Sequence, residues 1–400
     1  LPPPPMPRSP LTDAVLRLIW TEQRISRAEI AQRLALSRST VSEIVEPLLA
    51  SGLVAEAGVG ASRGGRRPIV LAFQDDAFDL LGVDMGASHV SVVRTDLRGR
   101  VLAMAARSHP VQADPAGTRA CIAALCDEVL HGVAAGRLVG IGVAAPSPID
   151  PAHPERLSTL AMPEWHGAHG LEALLAHYAV PVLVDNDANC GALAEHWWGA
   201  AQGLQDFTYI KVATGIGAGI FMGGAIRRGA SGVAGEIGHV AIDPRGELCV
   251  CGNRGCLTTL VGGEALVRRA TALRHEFPRS VLTEGSVTLG RIEQAALHDD
   301  PLALQVVTEA AEYLGVAIAD MLNLLNPSAI ILGGGLAVLG ERLLVPLRES
   351  ALDRTFVPAV ASTSIVVSAL GEQVVGIGAA TLVLQAALND PALFPSLSDD

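Results

Sequence analysis

His239, Cys249, Cys251 and Cys256 stand in the spacing His-x9-Cys-x-Cys-x4-Cys. Three thiolates and an imidazole are the donor set of a closed tetrahedral zinc site, which leaves no position for an activated water. The expected role is structural, to pin a loop. Gly252 and Gly255 lie inside the run, where tight turns must wrap the chain round a metal. The competing reading is three unrelated thiols beside a core histidine. Cys121, Cys126 and Cys190 lie apart from the cluster and read as small buried hydrophobes.

A second group is polar and follows apolar runs. Asp185-Asn186-Asp187-Ala188-Asn189 comes after Val182–Val184. An aspartate there can accept a hydroxyl proton, as general base in phosphoryl transfer or as a plain hydrogen-bond acceptor. Capping of the following helix by Asp187 or Asn189 is the rival reading of the run. Asp84 and Gly86 end another apolar run, and Thr214, Gly215 and Gly217 occupy the matching place downstream. Glycine turns expose amides to phosphates, and a strand-end aspartate can hold hydrated magnesium. Gly334, within Gly333–Gly335, suits close approach of an adenosine or simply a tight turn.

A third group is basic. Arg38, Ser39, Thr40, Ser42 and Glu43 lie opposite the apolar stripe of a short helix, where such side chains can reach base edges and phosphates in a major groove. Arg63, Arg66 and Arg67 sit on a glycine-containing hairpin suited to a narrow minor groove. The competing reading is a helical protein-interaction module with a solvated arginine loop.

These side chains need elements to hold them. Thr12 can cap a helix to Trp20, Ser26 and Glu29 form a capping box, and Ser37 caps a helix with Val41, Ile44, Val45, Leu48 and Leu49 at helical spacing, closed by Gly52. With an extended segment from Leu53, this predicts a winged helix-turn-helix over 11–73 after a flexible proline-rich 1–10. Leu80–Asp84, His89–Thr95 and Val101–Ala106 then read as a three-strand meander. The same phrasing recurs at Tyr209–Ala213, a glycine-rich turn at Thr214–Gly219, and Ile220–Met222. We expect two α/β lobes with a cleft between them: 78–187, completed by a C-terminal helix at about 373–389, and 188–372 with the metal site. Helices are expected at Thr118–Val133, Leu171–Tyr178, Ala192–Ala201 and Leu302–Leu325, and a flexible tail at 390–400.

Half of the 400 residues are hydrophobic, enough for several cores and too many for a disordered chain. The net charge of −12 argues against a nucleic-acid binder as a whole. Residues 1–72, however, hold nine arginines and six acids, a net +3, so the remainder carries −15. A basic head on an acidic body suits a DNA reader. Only one lysine, Lys211, is present among many arginines. Clustered cysteines and the lack of a secretory pattern or a long uninterrupted apolar run lead to the expectation of a cytoplasmic protein with no membrane contact.

These residues together resemble the ROK family of bacterial repressors and sugar kinases. The carrying motifs are Gly235-Glu236-Ile237-Gly238-His239, Cys249-x-Cys251-Gly252-x-x-Gly255-Cys256, Asn186-Asp187-Ala188-Asn189 and Gly215-Ile216-Gly217, over roughly residues 12–388. The resemblance implies an α/β actin-like, ribonuclease-H-like two-lobed sugar-kinase fold behind the winged head. It implies that Asn186, Asp187, Glu236 and His239 contact sugar hydroxyls, with Asp187 the base in kinase members and His239 also a metal ligand. Two departures stand out. Kinase members usually carry glycine and threonine where this chain has Ala87 and Ser88, and family members usually carry a glutamate where it has Thr258. The expected function is therefore a sugar-responsive transcriptional regulator of the repressor type, acting as homodimer or homotetramer on double-stranded operator DNA with structural zinc. An ATP- and magnesium-dependent sugar kinase based on Asp187 is the alternative.

Overall fold

The computed structural model describes residues 10–59, 68–134, 136–166, 171, 174, 178–355 and 363–395. The chain begins with α1 (Pro10–Glu22), β1 (Arg24–Ser26), α2 (Arg27–Arg33), α3 (Arg38–Ala50), β2 (Val54–Val59) and β3 (Ile69–Phe73). The capping box forms as the sequence predicts: Ser26 Oγ accepts the Glu29 amide at 3.3 Å, and Glu29 Oε2 accepts the Ser26 amide at 3.0 Å. Ser37 caps α3 through the Thr40 amide at 3.1 Å. Val15, Leu16, Ile19, Ile30, Val41, Val45 and Leu48 close a core under the head. Thr12 is a buried residue within α1, which starts at Pro10, so it is not the expected cap. The strand β1 went unanticipated because only three residues form it; it pairs with β3 in an antiparallel sheet of order β1-β3-β2. Residues 60–67, including Arg63, Arg66 and Arg67, lie outside the described residues.

The next sheet is built from β4 (Asp79–Met85), β5 (His89–Thr95), β6 (Val101–Ser108), β7 (Leu138–Ala145) and β8 (Val182–Asn186), with α4 (Pro115–Val129) between β6 and β7. Its order is β6-β5-β4-β7-β8, antiparallel on the first side of β4 and parallel on the other. After α5 (Asp187–Trp198), the pattern repeats. The strands β9 (Phe207–Val212), β10 (Ile216–Met222) and β11 (Ala225–Ile226) precede α6 (Leu257–Val261), α7 (Gly263–Leu273), α8 (Leu289–Leu297) and α9 (Pro301–Leu325). Then come β12 (Ala329–Gly333), α10 (Glu341–Leu352), β13 (Ser364–Val367) and α11 (Val374–Asn389). The order β11-β10-β9-β12-β13 has the same antiparallel and parallel halves. This internal duplication is the two-lobed actin-like, ribonuclease-H-like plan.

Close packing explains several glycines. A Cβ at Gly82 or Gly142 would fall 1.9 or 1.8 Å from a backbone oxygen of α11, so that helix can lie directly on β4 and β7. The expected glycine-rich turn over Thr214–Gly219 is shorter than read. Val212 already pairs with Ile216, and Gly217 and Gly219 are strand residues. The expected helix from Ala192 starts five residues earlier, at Asp187. The expected helix over Leu171–Tyr178 falls largely outside the described residues. Nor is the chain loose from residue 390: Pro391–Leu393 form a 3-10 turn, and Phe394 packs on Phe78 at 5.6 Å between ring centroids. Two helical stretches, Pro301–Leu325 and Gly371–Asn389, are long and apolar enough to cross a bilayer; most of each is buried in this fold.

Candidate functional site

Strand ends place the site. Asp84, Asn186, Lys211 and Gly333 lie at or near the carboxyl ends of β4, β8, β9 and β12, the edge at which open α/β sheets bind ligands. Asn186, not Asp187 or Asn189, is the cap of α5: its Oδ1 accepts the amides of Ala188 at 2.9 Å and Asn189 at 3.2 Å. The Asn186 amide nitrogen donates to the Ser147 carbonyl at 3.2 Å. Asp185 is internal, accepting Asn189 Nδ2 at 2.9 Å and Arg228 Nε at 3.0 Å. One extra residue of strand thus separates a structural carboxylate from the functional candidate Asp187.

Asp187 Oδ2 accepts the Lys211 ammonium at 2.7 Å, and Oδ1 accepts the Ala188 amide. Burial opposes a charged Lys211, but Asp187 and Asp84 outweigh it and hold the ammonium above its usual pKa. Asp84, itself buried, receives His89 Nε2 at 3.3 Å. Burial pushes its carboxyl up, yet Lys211 and then His89 bring it below the usual carboxylate value. Gly86 serves this contact, since a Cβ there would meet the His89 ring at 2.1 Å. Thr214 and Gly215 remain exposed at the β9–β10 turn, while Gly217 lies in β10 with a virtual Cβ 3.5 Å from Ala188. Gly334 has φ +88, and a Cβ there would sit 2.4 Å from the Val212 carbonyl, so close strand packing accounts for it.

Glu236 precedes the 3-10 turn Ile237–His239, and its Oε2 lies 3.9 Å from His239 Nε2. Burial, with Asp187 adding to it, raises the Glu236 pKa. On the other side of the ring, His239 Nδ1 is 3.5 Å from Cys249 Sγ. Cys251 and Cys256 sulfurs are 3.6 Å apart, and the four donor atoms all lie within 4.8 Å of one another. A tetrahedral zinc with bonds of about 2.3 Å to sulfur and 2.0 Å to nitrogen needs separations of roughly 3.8 Å and 3.5 Å. The expected cluster therefore forms, and the 3.5 and 3.6 Å separations match those of a metal site. The Cys256 thiol is pushed up to about 12 by burial and its neighbouring thiols, a repulsion that a divalent cation would remove. Gly255, at φ +62, would place a Cβ 1.6 Å from the Asp243 carbonyl, so the loop closes only with glycine there. Thr258 stands in α6 and is half-buried.

In the head, Arg38, Ser39 and Glu43 are exposed and Thr40 and Ser42 half-exposed on α3. Ser37 Oγ lies 2.8 Å from the hydroxyls of both Ser39 and Thr40. Sequence reasoning missed two features. Lys211 belongs to no recognisable motif, and its being the one lysine is the signal that singles it out. The other is α5, which starts at Asp187 and ends on Trp197 and Trp198, whose rings lie 5.3 and 6.3 Å from Trp20 of α1. Arg98 stacks 4.3 Å over Trp20 and donates to its carbonyl at 2.7 Å, and Trp198 Nε1 donates to Thr381 at 2.9 Å.

Comparison with known proteins agrees with both halves. The winged helix-turn-helix DNA-binding model matches residues 12–55, and the ROK family model matches residues 80–386. The xylose repressor of Caldicellulosiruptor bescii is 30% identical over 385 residues, 94% of this chain and 96% of that protein. The DNA-binding transcriptional dual regulator NagC of Escherichia coli K12 is 32% identical over 380 residues, 94% and 92% of the two chains. Among solved structures, a ROK family transcriptional regulator described as a homologue of the Escherichia coli Mlc protein aligns with TM-score 0.78 at 27% identity, over 96% of each chain. A ROK family glucokinase from Streptomyces griseus, in complex with glucose and AMPPNP, aligns with TM-score 0.69 at 31% identity, covering 77% of this chain and 99% of that one. With a match to more than three quarters of its length behind the winged head, the chain belongs to the ROK family.

Proposed function

We propose that this protein is a sugar-responsive DNA-binding transcriptional regulator, a repressor of carbohydrate-metabolism genes acting in the cytoplasm as a homodimer or homotetramer. The observation that carries the reading is a single helix, α5, running from the candidate sugar cleft to the DNA-binding head. A sugar bound by Asn186, Asp187, Glu236 and His239 would move the start of α5. Its tryptophan end would then reorient α1 and change the match of paired heads to their half-sites. Operator contacts fall to Arg38, Ser39, Thr40 and Ser42 on α3, with Arg63, Arg66 and Arg67 outside the described residues. Zinc on His239, Cys249, Cys251 and Cys256 would hold the loop that carries Glu236, with His239 shared between metal and sugar.

Similarity to repressors named for xylose and N-acetylglucosamine supports a sugar effector. The kinase alternative is favoured by the likeness to the glucokinase. Against it stand Ala87, whose Cβ crowds phosphate approach where kinase members carry glycine, and Thr258 in place of an acid. The test is selection of genomic fragments by the purified protein, followed by operator titration with and without a panel of sugars and sugar derivatives. One of them should change operator affinity about tenfold or more, within the usual range of allosteric coupling. Absence of sequence-selective binding would overturn the reading, and ADP release dependent on a hexose and lost in Asp187→Ala would favour the kinase.

A further inference from the structure

Lys211 is the one lysine in 400 residues. It stands near the carboxyl end of β9, and the residues paired with it on both neighbouring strands are glycines, Gly217 on β10 and Gly333 on β12. Directly paired residues share a sheet face, so both flanks of the lysine are free of side chains. Its ammonium can therefore reach Asp187 at 2.7 Å with only 13% of the side chain exposed. Both Asp187 oxygens already accept a hydrogen bond.

The charge balance around this pair is acidic. Asp84 and Asp187 interact with Lys211, and Glu236 interacts with Asp187. Arg228 is taken up by Asp185. His89 is bound to Asp84. Asp84 Oδ1 is buried and has no hydrogen-bond partner among the described residues. A phosphate brought here would meet more carboxylates than cations, and the lysine could serve it only by leaving Asp187.

We propose that Lys211 is a built-in counter-cation, committed to Asp187, that fixes this carboxylate as a hydrogen-bond acceptor for uncharged sugars in a cleft whose excess of carboxylates rejects phosphorylated ones. The inference rests on the sugar-sensor reading and names its ligand class. The ammonium occupies the reacting carboxylate, so a sugar hydroxyl binds as donor and keeps its proton. Lys211 is thus a specificity-determining residue.

Calorimetric titration of the full-length protein with xylose, glucose, N-acetylglucosamine and the 6-phosphates of the two hexoses tests this. A neutral sugar should bind at least about tenfold more tightly than its 6-phosphate, in line with a charged ligand facing more carboxylates than cations at a partly buried site. In Asp187→Asn the ammonium loses its charged partner, and the ratio of phosphate to neutral Kd should fall by about tenfold or more. An ammonium free to leave Asp187 would instead serve the phosphate, and the wild-type protein would then bind the 6-phosphate as tightly as the neutral sugar. Equal or tighter binding of a 6-phosphate to the wild-type protein overturns the inference whether or not the variant folds, and leaves the sensor reading standing. Failure of every sugar and sugar phosphate to bind or to alter operator affinity removes both.

Discussion

Among single residues, Cys251 separates a metal clamp from four adjacent donors. Cys251→Ser should lose stoichiometric zinc, and with it sugar binding, because the loop carrying Glu236 is held through His239. Metal analysis of the purified variant checks this, and full zinc occupancy would end the clamp proposal. His196 gives a pH prediction. Its ring stacks on Phe221 at 4.3 Å, and burial brings its pKa below the usual imidazole value. The unfolded chain therefore takes up the proton first as pH falls through about 6.5, so stability present above that pH is lost below it. Urea midpoints should fall between pH 7.5 and 5.5, with a smaller drop in His196→Phe. Asp84, with its lowered carboxyl pKa, adds a loss in the same direction, but only as pH falls below about 4.

At the scale of elements, the approach of α5 to β10 decides where Asp187 sits. Gly219→Ala would put a Cβ 2.3 Å from the Ala188 carbonyl, a backbone atom in the first turn of α5. The helix must shift, so we expect a loss of about 1–3 kcal/mol in stability together with weakened sugar affinity. Chemical denaturation and titration measure the two, and an unchanged variant would show that α5 tolerates displacement without cost to the cleft. The capping ambiguity at 185–189 also belongs to this scale. The sequence pattern offers five polar or small residues in a row, and any of several can cap. Only the point where β8 ends assigns the cap to Asn186 and leaves Asp187 with Lys211.

For the molecule as a whole, the head is packed, not tethered. Its core is continuous with Leu384 and Leu388 of α11, and Trp20 joins it to α5. Trp20→Ala should leave operator binding within a few fold while reducing the sugar response by about 1–2 kcal/mol of coupling. Operator titration with and without the effector measures both. A full response in the variant would place the coupling elsewhere.

The sequence alone determined what local chemistry can encode. The caps of α2 and α3 depend on neighbours three residues apart, and the donor types of the metal cluster lie within one short stretch of chain. The repeated strand phrasing exposed the duplication, and the pooled motifs identified the family. Tertiary structure decided the rest, because it depends on residues distant in sequence. Lys211 and Asp187 are 24 positions apart and meet only after β9 and α5 pack. Gly217 and Gly219 look like a phosphate turn until pairing with β9 makes them strand. Trp20 and Trp197 are 177 positions apart in the numbering, and only the packed fold makes one helix span both candidate sites.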